Sequence, residues 1–164
     1  MRMELIQPFI NAADAVLAET LHGPAHIFDV SMEEQVYRRK GVAAMVAIEG
    51  QIEGRVIFDA DSATAAAIAR ELWAGEEGTE ELVREALFEL ANLVIGNAVT
   101  TLNDLGFDFR VCPPQLHCAD EGEGPSADTE TLVMCFDSPK GKVFLNIAIH
   151  YSGRATAPAR ASAH

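Results

Sequence analysis

"EALFELANLVIGNAV", Glu85 to Val99, decides how the rest of this 164-residue chain is read. Its apolar residues recur at three- and four-residue spacing, the mark of a buried amphipathic helix. At about 100° per residue, Glu81, Glu85, Glu89, Asn92, Gly96, Thr100 and Asn103 fall within one arc roughly 100° wide. Leu82, Val83, Leu87, Leu90, Ala91, Val94, Ala98, Leu102 and Leu105 occupy most of the remaining surface and must face a sheet or other helices. Phe88, Ile95 and Val99 border the polar arc on one side, and Leu93 borders it on the other. Asn97 falls on the core side, where we expect it to satisfy buried backbone.

The arc has two readings. A solvated helix face is ordinarily built from Lys, Glu, Arg and Gln, all good helix formers. The centre of this one is Asn92 followed one turn later by Gly96, and a helical glycine costs about 1 kcal/mol relative to alanine. A missing side chain beside a carboxamide, with apolar shoulders, suits a docking surface for another protein. Spacing alone leaves both the solvated edge and the docking surface open. Glu89 and Asn92, at i and i+3, are neighbours that can accept from a cation and hold a water. No Ser–His–Asp or Cys–His constellation and no phosphate loop accompanies them, so a self-sufficient active site is not visible.

Working outward, Thr79 is an N-cap for a helix from Glu80 to Leu105, and Gly106 is placed to stop it. A first helix is expected over Met3–Leu21, ended by "HGP" at 22–24. Strand-type segments follow at Ala25–Ser31, Val42–Glu49 and Gly54–Phe58, the last two forming a hairpin around Gly50–Glu53. Asp59 or Asp61 caps a second, alanine-rich helix from Ser62 to Trp73. After the long helix, Phe107–Val111 reads as a strand. "ADEGEGPSADTE" (119–130) reads as an acidic surface loop, and Thr131–Phe136 with Lys142–Tyr151 as a second hairpin. The order helix, strands, helix, helix, strands implies an α+β fold with helices packed on an antiparallel sheet. It also hints at two helix-plus-strands halves, Met3–Phe58 and Glu80–Tyr151. We expect one domain over residues 1–151 and a disordered tail over 152–164.

Composition narrows the partners. A formal charge of −13 provides no basic stripe to displace counterions, which excludes a nucleic-acid binder and disfavours an anionic membrane surface. It favours partners with positively charged patches. No apolar run approaches the roughly 18 residues of a membrane span, and the first residues lack a signal peptide's apolar core, so a cytoplasmic protein is expected. Three cysteines, Cys112, Cys118 and Cys135, suit free thiols. In "CPPQLHC" the adjacent His117 and Cys118, with Cys112, do not have the ligand number or spacing of a zinc site, so no metal is expected.

The helix "EALFELANLVIGNAVTTL" resembles the signature helix of the CheC/CheX family of chemotaxis phosphatases. That family's pattern is Asp or Ser, three residues, Glu, two residues, Asn, with a proline some twenty residues on. Here it falls on Glu85, Glu89 and Asn92, with Pro113 or Pro114 downstream. "ELIQPFINAADAVLAETL", the hairpin ahead of the alanine-rich helix, and "GKVFLNIAIHY" extend the likeness over roughly residues 3–151. The single motif is similar to CheX rather than to CheC, which commonly carries two.

The resemblance implies an antiparallel sheet with long helices on one face, a homodimer, and a phosphatase acting on a phosphorylated CheY-like response regulator. Asn92 would orient the attacking water and Glu89 would pair with the regulator's active-site lysine. Glu85, Phe88, Ile95 and Gly96 would contact the partner, Gly96 by permitting close approach. No cofactor is implied for this chain, and Mg²⁺ is expected on the regulator. Glu85 departs from the pattern, being one methylene longer than Asp. The competing reading is a non-catalytic CheC-like module that binds a regulator or a flagellar switch component.

Overall fold

A computed structural model describes residues 3–24, 26–33, 39–73, 79–116 and 131–152. Among the described residues three helices, α1 (Met3–Thr20), α2 (Ser62–Leu72) and α3 (Glu80–Asp104), accompany seven strands. The strands are β1 (His26–Glu33), β2 (Val42–Gly50), β3 (Ile52–Ala60), β4 (Phe109–Val111), β5 (Gln115–Leu116), β6 (Thr131–Ser138) and β7 (Gly141–Tyr151).

Local chemistry sets the helix ends. The Asp61 carboxylate accepts from the Thr64 amide at 2.7 Å and starts α2. The Thr79 hydroxyl accepts from the Leu82 amide at 3.2 Å and starts α3. Gly106, at φ 92°, closes α3: its N–H reaches the Asn103 carbonyl and that of Phe107 reaches Leu102. That pair of bonds is a Schellman motif. At the end of α1 the left-handed position is taken by His22 (φ 55°), not by the adjacent glycine, while the Gly23 amide bonds back to Ala18. The helix thus ends at the "HGP" stretch as expected, with His22 as the residue that takes the left-handed turn.

The strands form one antiparallel sheet in the order β1-β6-β7-β3-β2-β4, with β5 also on β2. This order is symmetric about the central β7–β3 pair. α1 packs over β6 and β7, α3 over β2 and β3, and the two helices lie against each other. Each long helix therefore packs over strands from the other half of the chain. Strand β5 was not anticipated, because two residues after a Pro–Pro pair carry no periodicity. At Gly54 (φ 140°) any Cβ would lie 1.9 Å from the Ala148 carbonyl oxygen, so β3 can approach β7 only as glycine.

Paired residues on antiparallel strands share a face. Ala44, Val46, Ile48, Val56, Phe58, Met134, Phe136, Leu145 and Ile147 therefore point together. They join Phe9, Leu17, Ile68, Leu87, Leu90, Val94 and Leu102 from the helices in one core. All three helices lie on that one face. Each such buried Val, Leu, Ile, Phe or Met side chain contributes roughly 1.5–3 kcal/mol by leaving water. The opposite face carries a smaller cluster of Ala43, Ile57 and Val133. Beside it Arg55 Nη1 donates to Asn146 Oδ1 at 2.9 Å.

Among the described residues no helix is long and apolar enough to cross a membrane. Cys118, the 119–130 loop and residues 153–164 of the expected tail lie outside the described residues. Ser152, placed in that tail by sequence, instead donates its amide to the Gln51 carbonyl at 2.7 Å.

Candidate functional site

Helix α3 is fixed along its length by Leu87, Leu90, Val94, Ala98 and Leu102, all buried. Trp73, at the end of α2, donates its indole N–H to the Leu82 carbonyl at 3.0 Å and ties the first turns of α3 to α2. On this anchored helix Glu85, Glu89, Asn92 and Gly96 are all exposed. The side chains of Glu89 and Asn92 have no hydrogen-bond or ion-pair partner among the described residues. A carboxylate and a carboxamide are thus presented side by side to whatever lies outside the chain, with their own backbone held rigid by core packing. Burial of the pair would have ruled out any partner contact.

The flanks differ from expectation. Ile95, expected at the partner surface, is 4% exposed and belongs to the core, so its side chain is committed to packing. Phe88 is half-buried and packs against that core. The exposed apolar residue is Leu93, at 40%. Asn97, expected on the core side, is exposed.

One cause accounts for the displaced flank at Asn97. Ala86 and Asn97, eleven residues apart, point within about 20° of each other around the axis. Ala86 is nevertheless fully buried. In the first turns the exposed residues are Glu80, Glu81, Arg84 and Glu85. In the later turns they are Asn92, Leu93, Gly96, Asn97, Thr100, Thr101, Asn103 and Asp104. The exposed face therefore winds around α3, and Glu89 and Asn92 sit where the acidic part gives way to the uncharged part. A single-face projection of the sequence could not include that winding, which depends on which neighbours cover each turn.

Among the described residues no group of three or more His, Cys, Asp or Glu could hold a metal ion. Cys112 is half-buried and Cys135 is buried, where desolvation raises the thiol's pKa. Pro113 and Pro114 lie between β4 and β5, both paired with β2.

The model of the family described as chemotaxis phosphatase CheX matches residues 42–137, a stretch that includes all of α2 and α3. The chain belongs to the CheX family. A CheX–CheY complex from Borrelia burgdorferi, containing BeF3 and Mg²⁺, is 32% identical at a TM-score of 0.67. That likeness covers 91% of this chain and 99% of that one. A CheC-like superfamily protein from Shewanella sp. PV-4 is 22% identical at a TM-score of 0.76, over 92% and 99% of the two chains. FliY of Thermotoga maritima shares the fold at a TM-score of 0.61 and 22% identity, over 85% and 84%. No curated protein matches the chain. The phosphatase description belongs to the family, and the matched stretch of this chain carries Glu85, Glu89, Asn92 and Gly96 on α3.

Proposed function

We propose that this chain docks α3 onto a phosphorylated CheY-like response regulator and accelerates hydrolysis of its phosphoaspartate. The observation that carries this reading is the exposed Glu89–Asn92 pair, without a side-chain partner among the described residues, on a core-packed helix of a CheX-family fold. The CheY bound in the 32% identical relative supports the choice of partner.

The reaction needs little from the chain itself. Phosphoryl transfer depends mainly on positioning and charge stabilisation, and the Mg²⁺ expected on the regulator supplies charge at the phosphoryl oxygens. Asn92, placed beside the phosphoryl group, accepts a hydrogen bond from a water through its carbonyl oxygen and aims the lone pair of that water at phosphorus. The new P–O bond forms as the bond to the aspartate oxygen breaks. The electron pair leaves with the aspartate carboxylate, and the water's proton passes to the released phosphate. A carboxamide is not a base, so its part is orientation. Glu89 forms an ion pair with the regulator's active-site lysine and sets the register of docking. Glu85, longer than the usual Asp or Ser, contacts the partner's rim. In the same reading the chain works as a homodimer, which sedimentation would register as twice the monomer mass.

The test follows acyl-phosphate loss from a purified, phosphorylated CheY-like regulator with and without the chain. Acceleration by wild type that disappears in a folded Asn92→Ala protein supports the reading. A regulator that binds but decays at its own rate would instead make the chain a non-catalytic binding module.

A further inference from the structure

Resting on that phosphatase reading, we infer that Gly96 and Leu93 form the seat for the regulator's main chain beside its phosphorylation site. Gly96 is a notch that lets the α3 backbone come close, and Leu93 is the apolar anchor at its side. The uncharged later turns of α3 add this seat to the charged contact made by Glu89.

Nothing among the described residues calls for glycine at 96. It lies inside a regular helix and is not among the residues with positive φ. A Cβ built there meets no atom of the described residues within 4 Å, whereas one on Gly141 would collide with the Thr64 hydroxyl. By helix propensity and by packing, alanine would serve this chain better. The absent side chain therefore has its use outside the chain, at an exposed position one turn past Asn92.

That location has a mechanical meaning. An Asn side chain is short, so its amide enters a recessed phosphorylation site only if the helix backbone itself approaches the surrounding loops. A side chain at i+4 would stand about one turn, 5.4 Å, along the axis and hold the helix off. The next residue on the same line is also kept low: the Thr100 hydroxyl donates back to the Gly96 carbonyl at 3.2 Å. Leu93 lies between Glu89 and Asn97 on the adjoining line and is 40% exposed. From Asn92 to Asn103 the exposed positions carry no charge, and charge resumes at Asp104. Such a surface fits an uncharged stretch of peptide backbone with an apolar side chain. It is continuous with the pair assigned to the reaction, so the occupant is the same regulator.

Wild type, Gly96→Ala, Gly96→Leu, Leu93→Ala and Asn92→Ala are each melted. They are then titrated against a CheY-like regulator loaded with beryllofluoride and Mg²⁺, and assayed on the phosphorylated form. Gly96→Ala is expected to melt a few degrees higher yet bind about tenfold more weakly. Gly96→Leu is expected to bind weaker still, and Leu93→Ala to raise KM more than it lowers kcat. Gly96 and Leu93 variants that bind and hydrolyse as wild type, beside an inactive Asn92→Ala, overturn the seat and leave the phosphatase reading standing. A Gly96→Ala protein no more stable than wild type removes the argument from helix propensity. Wild type that neither binds nor accelerates decay overturns both readings together.

Discussion

Trp73 Nε1 donates a 3.0 Å hydrogen bond to the carbonyl oxygen of Leu82, joining the end of α2 to the first turns of the helix that carries Glu89 and Asn92. Trp73 also packs against the core and is the chain's single tryptophan. Replacing it by Phe keeps most of the apolar contact and deletes the donor. We expect a loss of about 0.5–1.5 kcal/mol, read by circular dichroism in urea. In wild type, loss of the α2–α3 contact should appear as a shift in tryptophan fluorescence that coincides with global unfolding.

Asn92 and Glu89 should separate kinetically. In the proposed mechanism Asn92→Ala removes the water's orienting acceptor and leaves the docking charge, so the catalysed rate should fall by about 10²-fold or more with little change in regulator affinity. Glu89→Gln keeps the shape and removes the charge. It should weaken docking and flatten the dependence of association rate on salt, measured by stopped flow between low and physiological ionic strength.

Asp61 gives the fold a pH-dependent contribution. The Thr64 amide bonded to its carboxylate holds its pKa below the usual carboxylate value. Because the folded-state pKa is depressed, the associated stability is present above the ordinary carboxylate pKa and is lost as pH falls through the lowered one. Asp61→Ala should therefore cost about 1 kcal/mol near neutral pH and progressively less below about pH 4. Denaturant midpoints of both proteins across that range check the sign.

Arg55 and Asn146 form a coupled pair on the sheet face away from the helices. Asn146 is fully buried, and burial lowers the Arg55 pKa. Arg55 Nη2 and Asn146 Nδ2 are both buried without a hydrogen-bond partner. Asn146→Ala should cost roughly 1–3 kcal/mol, because it removes an acceptor bonded to a desolvated guanidinium. The Arg55→Met, Asn146→Leu double variant should recover most of that loss, since replacing both partners by apolar groups removes the unmet donors. A double-mutant cycle by chemical denaturation measures the coupling.

Much of this fold could be read from the residues. Thr79, Asp61 and Gly106 mark helix ends through chemistry local to a few residues, and they lie where that chemistry places them. Glu89 and Asn92 stood out because a carboxamide ahead of a glycine is a poor way to build a plain helix face. Leu93, Ile95 and Asn97 were not legible in the same way. Their exposure depends on which neighbour covers each turn of α3, and periodicity along one helix does not contain its neighbours. His22 at the left-handed end of α1 was hidden for a simpler reason, since Gly23 beside it has the better propensity.

The mirrored strand order about β7 and β3 has a consequence for valence. Each half of the sheet supports one long helix, α1 over β6 and β7 and α3 over β2 and β3. The framework therefore offers two equivalent shelves, while "ELIQPFINAADAV" on the first bears no Glu-x-x-Asn pair. Under the proposed function, α3 takes the regulator and α1 is frame. In a calorimetric titration with a beryllofluoride-loaded regulator, saturation should come at one regulator per chain. Writing Glu and Asn onto α1 at the matching turn should raise that number towards two.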